Sequence, residues 1–249
     1  GTDLKTAIII GASTGIGRAT ALALSGKYNS ISITSFKHKE ELLSLRDELM
    51  AKGCICYCET GDAGDMEFME KFIQNTIDHL GSDIDLLINN AGIGEQKMID
   101  ETDDDWMMYV MNTNLGGPMR YIREALKIFL PKNDGVIINI SSVNGARPFC
   151  GATGGLNTLT KNVAMRLIDT NIRCNAVAPG ATVTPAHLAN KAGEQPGGAE
   201  MLKYSGHFVY FPGPECDPMD QAYACLYLAS KMGKAVRGQV IQVCNGAFL

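Results

Sequence analysis

No basic block in this chain is longer than Lys37-His38-Lys39, and 22 Lys+Arg stand against 27 Asp+Glu for a formal charge of -5. Nucleic-acid binding through the phosphate backbone needs the opposite balance, so that class is set aside. No apolar run approaches the roughly 20 residues of a membrane span. The longest, such as Ala7-Ile8-Ile9-Ile10 and Val136-Ile137-Ile138, are strand-sized. The start, Gly1-Thr2-Asp3, carries no charged-then-apolar signal segment, and its lack of Met reads as processing. His38, His79, His187 and His207 share no ligand spacing, so no metal site is expected. The eight cysteines are scattered rather than framed for disulfides, which favours a reducing, cytoplasmic setting. Cys54, Cys56 and Cys58 alternate along an apparent strand and should share one sheet face as core residues.

What is present is 249 residues, 45% of them hydrophobic, enough for an ample core. Short β-rich apolar runs alternate with longer amphipathic stretches from end to end. That pattern belongs to βαβ units and a parallel sheet covered on both faces. The runs predict strands over 5–10, 29–34, 54–58, 84–89, 135–141, 172–177 and 239–243. Helices are predicted over 15–26, 38–51, 65–80, 102–130, 154–170 and 218–231. No Pro/Gly-rich linker, repeat or low-complexity tract divides them, so residues 1–249 read as a single doubly wound α/β domain of the Rossmann type. The segment 180–217 stands apart, with Pro185, Gly193, Pro196-Gly197-Gly198 and Pro212-Gly213-Pro214 among Met201, Leu202, Tyr204, Phe208, Tyr210 and Phe211. A long irregular insertion after a strand's C-terminal end is expected to be a lid or substrate loop.

After the first strand comes Gly11-Ala12-Ser13-Thr14-Gly15-Ile16-Gly17, running directly into the helix Arg18-Ala19-Thr20-Ala21-Leu22. Glycines in such a turn let the backbone approach a pyrophosphate, which then sits on the positive helix N-terminus. The spacing is Gly-x-x-x-Gly-x-Gly. Four further motifs follow in order: Asn89-Asn90-Ala91-Gly92 ending strand four, Asn114-Leu115 beyond Trp106, Ile138-Asn139-Ile140-Ser141-Ser142 closing strand five, and Pro179-Gly180-Ala181-Thr182-Val183-Thr184 after strand six. On these five motifs the chain resembles the short-chain dehydrogenase/reductase family from about residue 4 to 245. Ile10, where the family often has Thr, and Cys244-Asn245-Gly246, in place of its usual Asp-Gly-Gly, depart from the pattern.

The resemblance implies that Gly11, Ser13, Gly15, Ile16 and Gly17 hold the pyrophosphate side of a nicotinamide cofactor. Asp62, in Glu59-Thr60-Gly61-Asp62, would contact the adenine, while Asn90, Ala91 and Gly92 would line its ribose. Pro179, Gly180, Thr182 and Thr184 would stand beside the nicotinamide. The choice of cofactor is argued from charge. An NAD site places a carboxylate at the end of strand two, whereas a 2′-phosphate needs cations and hydroxyls. Here the strand ends Ile33-Thr34-Ser35-Phe36-Lys37-His38-Lys39, with no acid before Glu40, so NADP(H) is expected over NAD(H), through Ser35 and Lys37. The alternative is that Lys37 and Lys39 are only solvated positions at a helix start.

Family chemistry, by the same resemblance, is hydride transfer between the nicotinamide and a carbonyl or alcohol carbon. A Tyr moves the proton, a Lys one turn later lowers the Tyr pKa, a Ser polarises the substrate oxygen, and an Asn supports a water relay. Ser142 matches the serine, with Ser141 as competitor, and Asn114 matches the asparagine. The Tyr-x-x-x-Lys pair is missing. No tyrosine occurs from Ser142 to Lys161, and the small pair Gly154-Gly155 that should follow the lysine arrives about six residues early, which places the shortfall between Thr153 and Gly154. Lys161 has Asn157, not Tyr, one turn before it and matches a position two turns too late; Tyr121, Tyr204 and Tyr210 have no suitable partner.

Two readings follow. Either the functional protein is an ordinary reductase with a further short segment absent from this chain, or the shortening is intrinsic and the protein is a cofactor-binding pseudoenzyme with a sensing or structural role. The intact surroundings favour the first, and the mass of the natural protein against 26.8 kDa separates them. The expected activity is an NADP(H)-dependent oxidoreductase acting on a small-molecule secondary alcohol or ketone. The lid's aromatic and Met content suits an apolar, steroid-like substrate, unless those side chains merely pack the lid. The resemblance also implies a homo-tetramer or dimer.

Overall fold

The computed structural model describes residues 5–81, 83–94, 97–146, 151–194 and 198–247. Seven parallel strands form one sheet in the order β3-β2-β1-β4-β5-β6-β7: β1 Thr6–Ile10, β2 Ser30–Ser35, β3 Ile55–Thr60, β4 Leu86–Asn89, β5 Gly135–Ile140, β6 Ile172–Pro179 and β7 Val240–Val243. The order reverses between β1 and β4, where register pairs Ile10 with Asn89, and Asn89 in turn with Asn139 of β5. In a sheet wound this way the crevice for a ligand opens beyond the carboxyl ends of those strands. β1, β2, β4 and β6 are buried along their whole length, as a sheet covered on both faces requires.

The helices are α1 Gly15–Leu24, α2 Lys39–Ala51, α3 Met66–Leu80, α4 Asp104–Met111, α5 Gly117–Lys132, α6 Gly151–Arg166, α7 Pro185–Lys191, α8 Gly198–Ser205 and α9 Pro218–Ala229. α1 and α9 pack along one another. One core cluster joins Ile9, Ile31, Leu45 and Ile138 to Leu24 and Cys225; the other joins Ile8, Phe72, Tyr121 and Phe129 to Val163 and Leu167. Cys54 is buried in the first cluster, and Cys56 and Cys58 pack against it, with burial pushing the Cys56 thiol up to about 12.

Three expectations need correction. The helix expected over 102–130 is two helices joined by a π-type turn, Asn112–Gly116. Pro118 has no N–H, so the Asn114 carbonyl loses the partner an α-helix would give it four residues on. A Cβ on Gly117 would stand 2.6 Å from the Ala63 carbonyl oxygen, so the chain needs a glycine where α5 meets the loop after β3. Second, the lid is not irregular throughout: α7 and α8 form within it, and a bridge between Thr182 and Cys216 ties its two ends together.

The third correction concerns the shortfall. α6 runs unbroken through Thr153–Gly154, with Leu156, Thr160, Val163 and Ala164 buried. Six residues inserted there would turn Gly151–Thr153 about 240° against that stripe and swing Ala152 out of its buried place. Because these contacts fix α6 from Gly154 onward, the shortening falls on the connection from β5. Counted back from Gly154, the family's lysine position is Thr153 and its tyrosine position is Phe149, which precedes α6 and lies outside the described residues.

Candidate active site

The turn after β1 is built from its own close contacts. Gly11 and Gly15 adopt φ of +81° and +58°, and a Cβ on Gly11 would lie 2.8 Å from the Ala91 backbone. A Cβ on Gly17 would run into the Gly11 carbonyl and the Asn90 amide. Asn90 Nδ2 donates to that carbonyl at 2.6 Å, while the Gly11 and Ala12 amides donate to Thr34 O of β2 at 3.1 and 2.8 Å. Thr14 provides no side-chain cap to α1, so the helix's first N–H groups stay open to an anion, with Ser13 and Ile16 on either side of its start. Thr184 meets the same turn from across the cleft, its Cγ2 lying 3.1 Å from where a Cβ of Gly15 would stand.

At the end of β2, the Ser35 hydroxyl donates to Ser13 Oγ at 2.9 Å, both side chains being buried. The next residues are exposed, and the Lys37 ammonium stands 5.1 Å over the Phe36 ring. Arg18 is a cation the motif reading passed over. It donates to the Ser13 and Glu41 carbonyls at 3.3 and 3.0 Å and pairs with Glu48 at 3.0 Å. Asp62 Oδ1 accepts from Gly64 N at 2.8 Å, which shapes its own loop. Asn90, Ala91 and Gly92 follow β4 directly, beside Gly11.

On the other side of the switch point, the Ser141 amide donates to Val177 O at 2.8 Å and continues the ladder, and its hydroxyl reaches the same carbonyl at 3.4 Å. Ser142 lies beyond the ladder. Its Oγ accepts from Asn144 N at 3.0 Å, and no acceptor for its own proton stands among the described residues. This contrast favours Ser142 over Ser141 as the hydroxyl available to a ligand. The turn that follows, Val143–Ala146, packs on the first turns of α6: a Cβ on Gly145 would lie 2.7 Å from Asn157 Nδ2 and 2.9 Å from Thr153 Cγ2. Asn114 is buried, and its side chain takes the Ile93 N–H at 2.8 Å and donates to Ile93 O at 2.9 Å. Only its main chain is therefore left for a relay role.

Pro179 ends β6, and Gly180 N donates to Val243 O at 2.9 Å. Gln221 of α9 bonds both Thr182 Oγ1, at 3.2 Å, and Val243 O, at 2.9 Å, and so fixes the loop from below. A second positioning chain runs Asn89 to Asn139 to Thr160 at 2.9 and 3.0 Å, linking β4, β5 and α6 through buried side chains. Asn139, within the apolar run Ile138-Asn139-Ile140, was the sequence signal for it; Gln221 offered none. Tyr121 is buried in the second core cluster, where desolvation raises its phenol pKa. Lys161 is exposed and lies beside Gly238, at the opposite end of the sheet.

Within the lid, Glu215 accepts from Lys191 and meets His187 Nε2, both at 2.8 Å, and the hydrogen bonds with these two side chains hold its carboxyl below the usual range. Val209 packs against the small cluster of Val143 and Ala178, the first of which follows Ser142, and Tyr210 N donates to Ala247 O at 3.2 Å. Tyr204, Tyr210 and Phe211 are 42%, 65% and 52% exposed, so they do not form a core for the lid itself.

The family model for short chain dehydrogenases matches residues 5–195. Over 253 aligned residues the chain is 30% identical to the 3-oxoacyl-[acyl-carrier-protein] reductase FabG of Staphylococcus aureus, covering 98% of each. It is 29% identical over 269 residues to a 3beta-hydroxysteroid dehydrogenase of Mediterraneibacter gnavus, covering 99% of this chain and 95% of that one. Among solved structures, an actinorhodin polyketide ketoreductase variant crystallised with NADPH superposes with a TM-score of 0.86 at 27% identity, covering 98% of this chain and 97% of the other.

Proposed function

The chain belongs to the short-chain dehydrogenase family of oxidoreductase enzymes, and from that premise we propose that it moves a hydride between NADP(H) and the carbonyl or secondary-alcohol carbon of an apolar small molecule. The observation that carries the cofactor reading is the buried Ser13–Ser35 hydroxyl pair, closing β2 with no acid in the Phe36-Lys37-His38-Lys39 that follows. A 2′-phosphate is met there by hydroxyls and by Lys37, with Arg18 close by, whereas a 2′-hydroxyl would lack its usual acceptor. The actinorhodin relative was crystallised with NADPH, which agrees with this choice.

NADP(H), when bound, supplies the redox equivalent. Gly11, Ser13, Gly15, Ile16 and Gly17 hold its pyrophosphate on the open N-terminus of α1; Asn90, Ala91 and Gly92 line the adenine-side ribose and Asp62 the adenine edge. Pro179, Gly180, Thr182 and Thr184 position the nicotinamide end, braced by Gln221. Ser142 donates its free hydroxyl proton as a hydrogen bond to the substrate oxygen. The lid over 180–217 closes on the Ser142 side through Val209, and its exposed aromatic rings suit an apolar acceptor; the name of the Mediterraneibacter relative is consistent with a steroid. An apolar groove between α5 and α6, lined by Met119, Ile122, Leu126, Leu130, Leu159 and Val163, would bury itself against a second copy, to be checked by light scattering. No helix among the described residues is long and apolar enough to cross a membrane, and seven described cysteines carry free thiols, in keeping with a reducing cytoplasm.

Titration calorimetry tests the cofactor reading. Ser35→Asp should weaken NADPH binding by about 30-fold, the worth of a charge-assisted hydrogen bond lost and a repulsion gained, and strengthen NADH binding. Lys37→Ala, at an exposed site, should cost NADPH only about fivefold. Equal binding of NADH and NADPH by the natural chain, untouched by either change, would remove the 2′-phosphate argument. Ser142→Ala should lower turnover of the preferred acceptor by about 100-fold with little change in NADPH affinity. If NADPH binds and no ketone, alcohol or imine on a broad panel turns over in protein of verified mass, the reading gives way to a cofactor-sensing role.

A further inference from the structure

We infer that Glu215 is a positioning residue for NADP(H): its carboxylate clasps the short helix α7 to the end of the sheet and so keeps Thr184 over the pyrophosphate turn. The inference rests on the NADP(H) reading above and adds to it the part of the chain that slows release of the cofactor.

α7 has little else to hold it. It runs only from Pro185 to Lys191, and none of its residues is buried. Two helical turns are not stable alone, and without a buried side chain this helix gains little from packing. Its start is fixed by Thr184, whose hydroxyl accepts from His187 N at 3.1 Å. Its far end is fixed by Glu215. His187 and Lys191 stand one turn apart on the same side of α7, and both reach Glu215 Oε1 at 2.8 Å.

Glu215 itself sits on anchored backbone. Asn245, in the Cys244-Asn245-Gly246 ending that departs from the family pattern, donates from Nδ2 to the carbonyls of Glu215 and Pro214 at 3.2 and 3.3 Å. Cys216 N donates to Ala181 O at 2.8 Å and Val183 N to Cys216 O at 2.9 Å, which laces the next residue to the loop after β6. The carboxylate is therefore fixed, and the helix it grips is the part free to move. Thr184 carries that motion to the cofactor, because its Cγ2 lies 3.1 Å from where a Cβ of Gly15 would stand. A released α7 swings away and takes Thr184 off the turn.

The groups that face the carboxylate are His187 and Lys191, and their hydrogen bonds keep it ionised well into acid. Neutral His187 can still donate from Nε2 and Lys191 stays cationic, so the clasp holds from about pH 6 to 9.

Two measurements on the whole chain test this, the first without cofactor. Trypsin should cut after Lys191 about fivefold faster in Glu215→Ala than in the natural chain, with Tm unchanged within about 2 °C. In stopped flow, NADPH should leave Glu215→Ala about fivefold faster, with its association rate unchanged. Glu215→Lys, which repels Lys191, should release NADPH about tenfold faster than the natural chain. Adding Lys191→Glu restores a pair of the same length and should bring the rate back within about twofold, a rescue that a general loss of stability would not show. Equal trypsin cleavage, unchanged NADPH release in Glu215→Ala, or no rescue by Lys191→Glu would each overturn the inference. NADPH failing to bind the natural chain at all would instead overturn the cofactor reading on which it rests.

Discussion

Gly17→Ala should reduce NADPH affinity by at least about 100-fold, while Gly26→Ala, a few residues along, should change nothing. The difference lies in what a methyl group would meet. At Gly26 nothing lies within 4 Å; at Gly17 the methyl would strike the Gly11 carbonyl and the Asn90 amide. Neither obstacle can yield cheaply. The Gly11 carbonyl belongs to a residue at φ +81° whose amide is held by Thr34, and Asn90 is fastened to that same carbonyl at 2.6 Å. Relieving the clash means opening the turn, and the open turn no longer aims the first N–H groups of α1 at a pyrophosphate. Overpacking of this kind costs about 1–3 kcal/mol of stability, or a Tm lower by roughly 6 °C in a chain of this size. Calorimetry with NADPH and thermal unfolding together decide the matter. A Gly17→Ala protein that binds NADPH normally would show that the turn is not the cofactor cradle.

Much of this was legible because α/β topology leaves few choices. Continuous apolar runs such as Ala7–Ile10 can only be strands buried on both faces, and a glycine-spaced turn between such a strand and a helix has few other uses. Motif order assigns Ser142 and Asn114 their roles; in the structure Ser142 Oγ accepts from Asn144 N and Asn114 spends its amide on Ile93. What the sequence hid is long-range. Pro118 announces a break between α4 and α5, but the contact of Gly117 with the Ala63 carbonyl in the loop after β3 has no local pattern. The place of the shortening was misjudged because motif spacing counts residues but not helix faces; the buried stripe of Leu156, Thr160 and Val163 is what fixes α6 and moves the loss upstream. Gln221 and Arg173 were invisible for the same reason, since a lone polar residue in a buried element says that a partner exists but not which.

Arg173→Leu should lower stability by about 3–5 kcal/mol, the largest loss expected from a single change remote from the cleft. Arg173 lies in β6, where every residue is buried, and only 7% of it is exposed. Its guanidinium donates to the carbonyls of Leu228 at 2.6 Å, Gly233 at 2.9 Å and Ser230 at 3.3 Å, which are the terminal acceptors of α9 and of the turn after it. A cation there complements the negative end of the helix dipole, and burial together with Arg237 lowers its pKa from the ordinary arginine value. Leucine fills the volume but leaves the Leu228 carbonyl without a donor, a loss of about 1–3 kcal/mol when buried, and strips the charged donor from the Gly233 and Ser230 carbonyls, which keep only Val236 N at 2.9 Å and Gly233 N at 3.1 Å. The effect should reach the cofactor cleft, because α9 also carries Gln221, whose amide braces Thr182 and Val243. A Tm lower by about 10 °C, partly restored by Arg173→Lys, together with an NADPH affinity reduced less than in Gly17→Ala, is the expected result. An unchanged Tm in Arg173→Leu would show that α9 is held by its packing on α1 alone, and the bracing of the nicotinamide loop would then have to be independent of Arg173.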